Sequence, residues 1–504
     1  MAQLPQNNDE SSSASTVGAP PLLVAMLAAL LIRCYGLSTQ SFSNDELIDL
    51  EIARQPWLAI LSVADGFPPL HHLLLKAGLL LTDNPLAGRW LSVVYGVLAV
   101  PIVGLLANRI AGRGCGIVAA WLLAIAPMHV YFSQEGRAYA LFFLVTALAT
   151  WLFWRALQIG SPRSWATFAL FASIGGYVHY YYLFVLMAFV LIWGKQGMAT
   201  GQWAKGFGAF CCIGLLSMPV LSFVWTDIGC QQAMRQGSFS FAAVGYTGWS
   251  LLTGFCVGPS LRELHSLSPA EALQGILPWL IPVGAVVGGL LMSVWRKGHP
   301  YRIELLTLLL IPILCAFLAE SCFDLSNYNV RYVIPSLLPL IVLTAIAVTS
   351  GGHPSISILL GLILLAVSFS SIVNRHQVAK YQNIDSASAS TFLAEYAGEP
   401  QRVYTLAHYM QVAARHYLPA GYEVVPLDDV TSAANNLEAT IQQINSQDGP
   451  FWVFYSREFH GDPAGIFKEA LLNDPQVEQL GTWTGVALFR GTAPITRPIE
   501  QPTP

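Results

Sequence analysis

The sequence predicts a mainly α, polytopic membrane helix bundle of about eleven transmembrane helices with a small α/β domain at its C-terminal end, outside the membrane. Three observations predict it. The 504 residues are 54% hydrophobic and 11% charged, with a mean hydropathy of +0.53, whereas a soluble protein carries roughly a quarter of its residues as Asp, Glu, Lys or Arg. Apolar runs of roughly 20 residues, the length that crosses a ~30 Å hydrocarbon layer, recur from Pro20 to about Val373 and then stop. From Asn374 onward, short apolar runs bounded by polar turns replace them.

This composition excludes a water-soluble enzyme. A net charge of −4 with no block of Lys or Arg excludes nucleic acid as a partner, because binding there is driven by releasing counterions to clustered cations.

Residues 1–19, with Asp9, Glu10 and Ser11-Ser12-Ser13, predict a disordered cytoplasmic tail. They lack the basic flank of a secretory signal, so the first apolar segment reads as a retained anchor. The membrane domain covers residues 20–373. Spans are expected near 20–37, 87–107, 115–129, 138–154, 165–178, 180–194, 206–224, 274–295, 303–320, 332–349 and 355–373. The first outer loop covers about 38–86. Within it Leu70–Leu81 is too short to span and carries His71, His72 and Lys76, which predicts a helix lying in the interface.

Loop charge sets the orientation. Arg109 and Arg113, Arg155 and Arg163, Lys195 and Lys205, and Arg296, Lys297 and Arg302 fall in alternate short loops, which are therefore cytoplasmic. The N-terminus is then inside and the C-terminal domain outside, in a plasma (inner) membrane. Arg33, toward the outer end of the first helix, runs against this pattern.

Eight cysteines are scattered without a CxxC pair or a His spacing suited to zinc. Cys230 and Cys256 share one expected outer loop and can pair in an oxidising compartment. No cofactor is indicated, and a divalent metal is left open.

Four passages carry candidate chemistry, all at outer helix ends. Ser41-Phe-Ser-Asn-Asp-Glu-Leu-Ile-Asp-Leu-Glu-Ile-Ala-Arg54 holds Asp45, Glu46, Asp49 and Glu51 in a chain with few carboxylates, and is the best place for a base. Asn44 or Ser43 suits an N-cap there, and the same residues also suit a solvated amphipathic helix. Asp65-Gly-Phe-Pro-Pro-Leu-His-His72 has two prolines that force an extended entry. Its His71 and His72 point to different faces of a helix, so they serve as hydrogen-bonding or structural groups rather than a metal pair.

Tyr131-Phe-Ser-Gln-Glu-Gly-Arg-Ala-Tyr139 places Glu135, Arg137 and Tyr139 at a junction between spans. With Arg89, and with Arg331 in Asn327-Tyr-Asn-Val-Arg-Tyr-Val-Ile-Pro335, Arg137 makes a sparse set of outer cations. Their planar forks suit phosphate oxygens or, equally, snorkelling to headgroups. Tyr177-Val-His179-Tyr-Tyr-Tyr182 is an aromatic hairpin suited to interface anchoring, a saccharide or a prenyl chain.

In this order the passages resemble the dolichyl-phosphate-mannose-protein mannosyltransferase-like glycosyltransferases (family 39) of the GT-C superfamily, particularly bacterial members. The resemblance runs through Asp45-Glu46, Pro68-Pro69-Leu70, Arg89, Ser133-Gln-Glu-Gly-Arg-Ala-Tyr139, His179-Tyr-Tyr-Tyr182 and Arg331-Tyr-Val-Ile-Pro335. It departs at Phe67, where the family often has His or Lys.

It implies an inverting transfer from a polyprenyl-phosphate sugar donor to an acceptor glycan, lipid or protein on the extracytoplasmic side. Asp45 would be the general base and Glu46 would orient the acceptor or the loop. Arg89, Arg137 and Arg331 would bind the carrier phosphate, with Glu135, Tyr139, His71 and His179 lining the substrate site. The competing class, a transporter or flippase of lipid-linked sugars, calls for charges near mid-span or repeated halves, and the informative charges here sit at helix ends instead.

In the C-terminal domain, 374–504, strands are expected at Arg402–Leu406, Tyr422–Pro426, Phe451–Tyr455 and Gly485–Phe489, with helices at Met410–Tyr417 and Asn436–Asn445. A layered unit of about four strands without a phosphate loop or nucleophile motif suits covering the active face or selecting the acceptor.

Overall fold

The computed structural model describes residues 18–63, 65–233, 241–295, 301–323, 328–350, 354–430, 434–446 and 449–495. The expected N-terminal tail and the Arg296-Lys297 pair lie outside them. Two compact units emerge. One comprises Met1–Leu37, Ile52–Gly258 and Leu273–Asn374, and the other Ser38–Glu51, Pro259–Ala272 and Arg375–Pro504.

The first unit is a bundle of apolar helices, and the protein is a multi-pass membrane protein. Among the described residues eight helices are long and apolar enough to cross a membrane: Ala87–Ala111, Tyr139–Ile159, Tyr182–Thr200, Trp203–Trp225, Pro269–Leu291, Arg302–Ser321, Val330–Thr349 and Ser355–Gln377. A bent pair, Arg113–Ile125 and Pro127–Ser133, makes a ninth if taken as one span. About eleven were expected. All eleven apolar segments are helical, but Ala19–Cys34 has only 16 residues and Pro162–Val178 only 17. Leu70–Thr82 forms a separate 13-residue apolar helix. The helix Phe241–Thr253 was not anticipated, because Gly245 and Gly248 make its sequence read as a loop.

Local chemistry sets the breaks. At Gly160-Ser161-Pro162 the glycine adopts a left-handed φ of 66° that ends one helix, Ser161 Oγ accepts the Ser164 N–H at 3.1 Å, and Pro162 starts the next. At Pro127 the chain turns by 57°. Proline has no N–H to donate, so the carbonyls at the end of Arg113–Ile125 need other partners.

Arg33 supplies them. Its guanidinium, 0% exposed, donates to Ala124 O at 2.9 Å, Leu123 O at 3.2 Å and Ala29 O at 3.2 Å, and lies 2.7 Å from His129 Nδ1. A cation at a helix C-terminus also meets the negative end of the helix dipole. This accounts for the one arginine at odds with the loop-charge pattern: it is consumed inside the protein. Gly96 allows the approach, since a Cβ there would overlap Ser133 and press on Arg33 Nε.

Large aromatics fill the bundle between the Tyr139–Ile159, Pro162–Val178 and Tyr182–Thr200 helices, with Phe142, Phe143, Phe153, Trp154, Trp165, Phe168 and Phe189 all buried. Cys256 is buried. The side chain of Cys230, its expected partner, lies outside the described residues.

The second unit is built on a five-stranded sheet, one strand more than expected. The strands are β1 (Arg402–Leu406), β2 (Glu423–Pro426), β3 (Phe451–Ser456), β4 (Val477–Trp483) and β5 (Val486–Gly491), in the order β2-β1-β3-β5-β4. β1 pairs parallel with β2 and β3, whereas β5 runs antiparallel between β3 and β4. The strand missed from sequence is β4, an edge strand of mixed polarity with a register irregularity at Gln479/Gly481. All six residues of β3 are buried, as its unbroken Phe-Trp-Val-Phe-Tyr run requires of a strand covered on both faces.

Candidate active site

The bundle gathers most of the expected substrate residues around one aromatic cluster. Its floor is the Glu135-Gly136-Arg137 turn, closed by the Arg137 N–H donating to Glu135 O at 2.8 Å. The turn presents the Gly136 carbonyl 3.2 Å from His71 Nε2, and the Arg137 carbonyl accepts from Ser92 Oγ at 3.4 Å. The turn is thus held from two sides, by the Leu70–Thr82 and Ala87–Ala111 helices.

Aromatic faces steer the two guanidinium groups. Arg137 lies 4.8 Å from the Phe67 ring centroid and 6.0 Å from that of Tyr139. Arg331 lies 5.7 Å from Tyr139 and 5.5 Å from Tyr332. Arg331 sits on a short 3₁₀ segment, Val330–Ser336, whose start is capped by Asn329 Oδ1 accepting the Arg331 N–H at 3.2 Å. Two cations on one phenol ring repel each other unless negative charge offsets them, and cation–aromatic contacts of this kind contribute only ~0.5–2 kcal/mol.

His179 reports that field. Its ring stacks on Phe142 at 4.6 Å, contacts Phe67, Tyr139, Tyr181 and Tyr332, and is 3% exposed. Burial first, then Arg331 and Arg137, push its pKa down to about 3. Nδ1 accepts the Tyr181 N–H at 3.2 Å. The imidazole is therefore neutral at working pH, an aromatic wall with one N–H rather than a third cation.

A second polar layer adjoins it. Asp65 accepts the Phe67 N–H at 3.2 Å through Oδ1 and lies 3.3 Å from His72 Nε2 through Oδ2. The Tyr180 hydroxyl donates in a short hydrogen bond to Asp227, a carboxylate that also accepts the Gly66 N–H. These acids anchor the Asp65-Gly-Phe loop, and through it Phe67, against the hairpin that follows His179.

Glu135, Arg137, Tyr139, His71, His179 and Arg331 thus share one cluster. Arg89, 3% exposed, donates to Leu37 O at 2.8 Å. Asp45 and Glu46 belong to the other unit, on the first turn of the Asn44–Arg54 helix. There Ser43 Oγ accepts the Glu46 N–H at 3.3 Å while Glu46 Oε2 accepts the Ser43 N–H at 2.8 Å. This reciprocal pair is a capping box, which commits the 2% exposed Glu46 to shaping the helix start and leaves Asp45, half-buried, as the first-turn acid beside it.

Sequence reasoning missed Phe67, Phe142 and Tyr332 as site walls. The signal for Phe142 was available, three residues beyond Tyr139 on one helix face. Phe67 had been noted only as a departure from a family pattern.

Comparison with known proteins agrees with this architecture. The family model described as dolichyl-phosphate-mannose-protein mannosyltransferase matches residues 67–225. No curated protein sequence matches the chain. Among solved structures, ArnT from Cupriavidus metallidurans in the apo state aligns with TM-score 0.59 at 11% identity, covering 95% of this chain and 99% of that one. The same protein bound to undecaprenyl phosphate aligns with TM-score 0.57 at 12% identity, covering 96% and 100%. The archaeal oligosaccharyltransferase AglB from Archaeoglobus fulgidus, in complex with an inhibitory peptide and a dolichol-phosphate, aligns with TM-score 0.52 at 12% identity, covering 87% and 69%. With its bundle and its C-terminal sheet the chain shares the fold of the ArnT structure, and over residues 67–225, which span the Phe67–Tyr182 cluster, it is similar to the dolichyl-phosphate-mannose-protein mannosyltransferase family.

Proposed function

We propose that the protein transfers a sugar, with inversion, from a polyprenyl-phosphate carrier to an acceptor hydroxyl on the extracytoplasmic face of a plasma (inner) membrane. The observation that carries this reading is the convergence of Arg137 and Arg331 on the Tyr139 ring, at 6.0 and 5.7 Å, beside a neutral His179. Two guanidiniums in an aromatic, water-poor surround form an anion site, and a phosphate is the anion their planar forks fit. The carriers in the ArnT and AglB structures, undecaprenyl phosphate and dolichol-phosphate, are of this class.

In the reaction, the acceptor oxygen forms a bond to the anomeric carbon while the bond from that carbon to the carrier phosphate breaks. The electron pair leaves with the phosphate, and Arg137 and Arg331 stabilise the charge that collects there. The acceptor proton passes to the Asp45 carboxylate, which acts as general base. Glu46 fixes the loop and its capping box sets the direction of the Asp45 side chain. Phe67, Tyr139, Tyr332 and His179 exclude water and hold the guanidiniums in place.

Asp45→Asn in purified protein tests the assignment. Turnover with a polyprenyl-phosphate sugar should fall by about 10²–10⁴-fold, the usual contribution of a general base, with carrier binding retained. Unchanged turnover removes Asp45 from the role.

A further inference from the structure

The sheet of the second unit changes its winding direction between two parallel neighbours. From β1 the chain passes to β2 on one side, then crosses to β3 on the other. In open α/β sheets such a reversal leaves a crevice at the carboxyl ends of the two strands, because their connections diverge, and ligands bind there.

Here those ends carry polar side chains. His408 and Tyr409 follow β1, Arg457 and His460 follow β3, and Asp429 comes from the segment after β2. Asp429 Oδ2 lies 3.3 Å from His460 Nδ1 and 3.9 Å from His408 Nδ1, and the Tyr409 and His460 rings meet edge to face at 5.2 Å.

The three connections are bound tightly together. Gly461 O accepts the Val430 N–H at 2.6 Å, and a Cβ on Gly461 would lie 2.9 Å from Leu406 Cγ and 3.0 Å from Ala407 N, so only glycine fits. Arg457 holds a φ of 53°, one of two positive-φ non-glycine residues among those described. Such backbone is unfavourable for a side chain larger than hydrogen and is concentrated at binding and active sites. Asp429 Oδ1 and Arg457 Nε are buried with no hydrogen-bond partner among the described residues.

Asp45 belongs to this same unit. Ser41 Oγ donates to Asp385 Oδ1 at 3.1 Å and the Asp385 N–H donates to Thr484 O at 2.9 Å, in the turn before β5, whose Val486 pairs with Ser456 at the end of β3, so the segment leading into the Asn44–Arg54 helix lies at this end of the sheet. Burial first, with Arg457 opposing and Asp429 and Asp45 adding, raises the Tyr409 phenol, so the field of Asp45 reaches that ring.

We propose that this crevice binds the acceptor and that the acceptor is a saccharide, an inference that rests on the glycosyl-transfer reading above. A sugar presents hydroxyls that donate to a carboxylate and accept from guanidinium and imidazole N–H groups, and a C–H face that packs on an aromatic ring. Asp429 is the acceptor group, Arg457, His408 and His460 are the donors, and Tyr409 is the platform. A hydroxyl of a sugar held there faces Asp45.

The test uses the full-length protein in nanodiscs and saturation-transfer NMR with a panel of neutral and amino oligosaccharides, against a panel of short Ser- and Thr-containing peptides. Oligosaccharides should give saturable signals and peptides none. Affinity for the best oligosaccharide should fall at least about tenfold in Asp429→Asn and Tyr409→Ala and stay within about threefold in Tyr409→Phe, which keeps the ring. Undecaprenyl-phosphate binding should be unchanged in all three. Binding of peptides but not sugars, or sugar binding indifferent to Asp429→Asn, overturns the proposal. Failure of the wild-type protein to bind undecaprenyl phosphate overturns the transfer reading instead. Asp429→Asn preserves side-chain volume, so the outcome stands even where Tyr409→Ala does not fold.

Discussion

In the helix bundle the charges that meet on the Tyr139 ring are cations, Arg137 and Arg331, beside the neutral imidazole of His179. In the α/β unit they are carboxylates and imidazoles, with Asp429 between His408 and His460 and Asp45 acting on Tyr409. The first set suits a leaving phosphate, and the second suits a hydroxyl that must lose a proton. A displacement at carbon needs opposite fields on its two sides, and each unit offers one of them.

The sharpest way to break this division is to remove a guanidinium. Arg331→Ala and Arg137→Ala should each weaken undecaprenyl-phosphate binding by about 10- to 100-fold, since a charge-assisted hydrogen bond contributes ~1.5–3 kcal/mol. Arg331→Lys should recover only part, because an ammonium lacks the fork. Calorimetric titration reads this, and a loss confined to acceptor affinity would erase the contrast. A smaller effect is expected at Phe67. Phe67→Leu keeps the bulk and removes the π-face 4.8 Å from Arg137, which at ~0.5–2 kcal/mol predicts about a 3- to 30-fold weaker carrier affinity with no change in acceptor binding.

The smallest change concerns the other region. Ser43→Ala removes half of the capping box and should lower stability by about 1 kcal/mol in reversible denaturation. Carrier affinity should stay at the wild-type value, and a coupled loss would show that the carrier site depends on this cap.

Much of this was legible in the chain before any coordinates. The apolar runs gave the bundle, and Arg137, Tyr139, His179 and Arg331 were readable because polar groups at helix ends in so apolar a sequence are few. Ser43, Asn44 and Glu46 announced a helix start for the same reason. What escaped were features set by tertiary pairing. Phe67 and Tyr332 look like ordinary membrane aromatics until a guanidinium lies on them. β4 carries little of the apolar alternation that marks a strand, because an edge position buries so little of it. The crevice at β1 and β3 was invisible because His408, Asp429, Arg457 and His460 are scattered over about fifty residues and meet only through the strand order.

Arg33 has a consequence for biosynthesis. Two of its three carbonyl partners, Leu123 and Ala124, lie 90 and 91 residues downstream, and Ala29 alone is local. A nascent chain leaving the ribosome therefore carries an incompletely matched cation in its first apolar segment until the broken helix pair has been made. That segment should remain held by the insertion machinery, or stay mobile in the lipid, until residue 124 arrives. Truncations ending before that point should be extractable from membranes, while those ending beyond Ser133 should not.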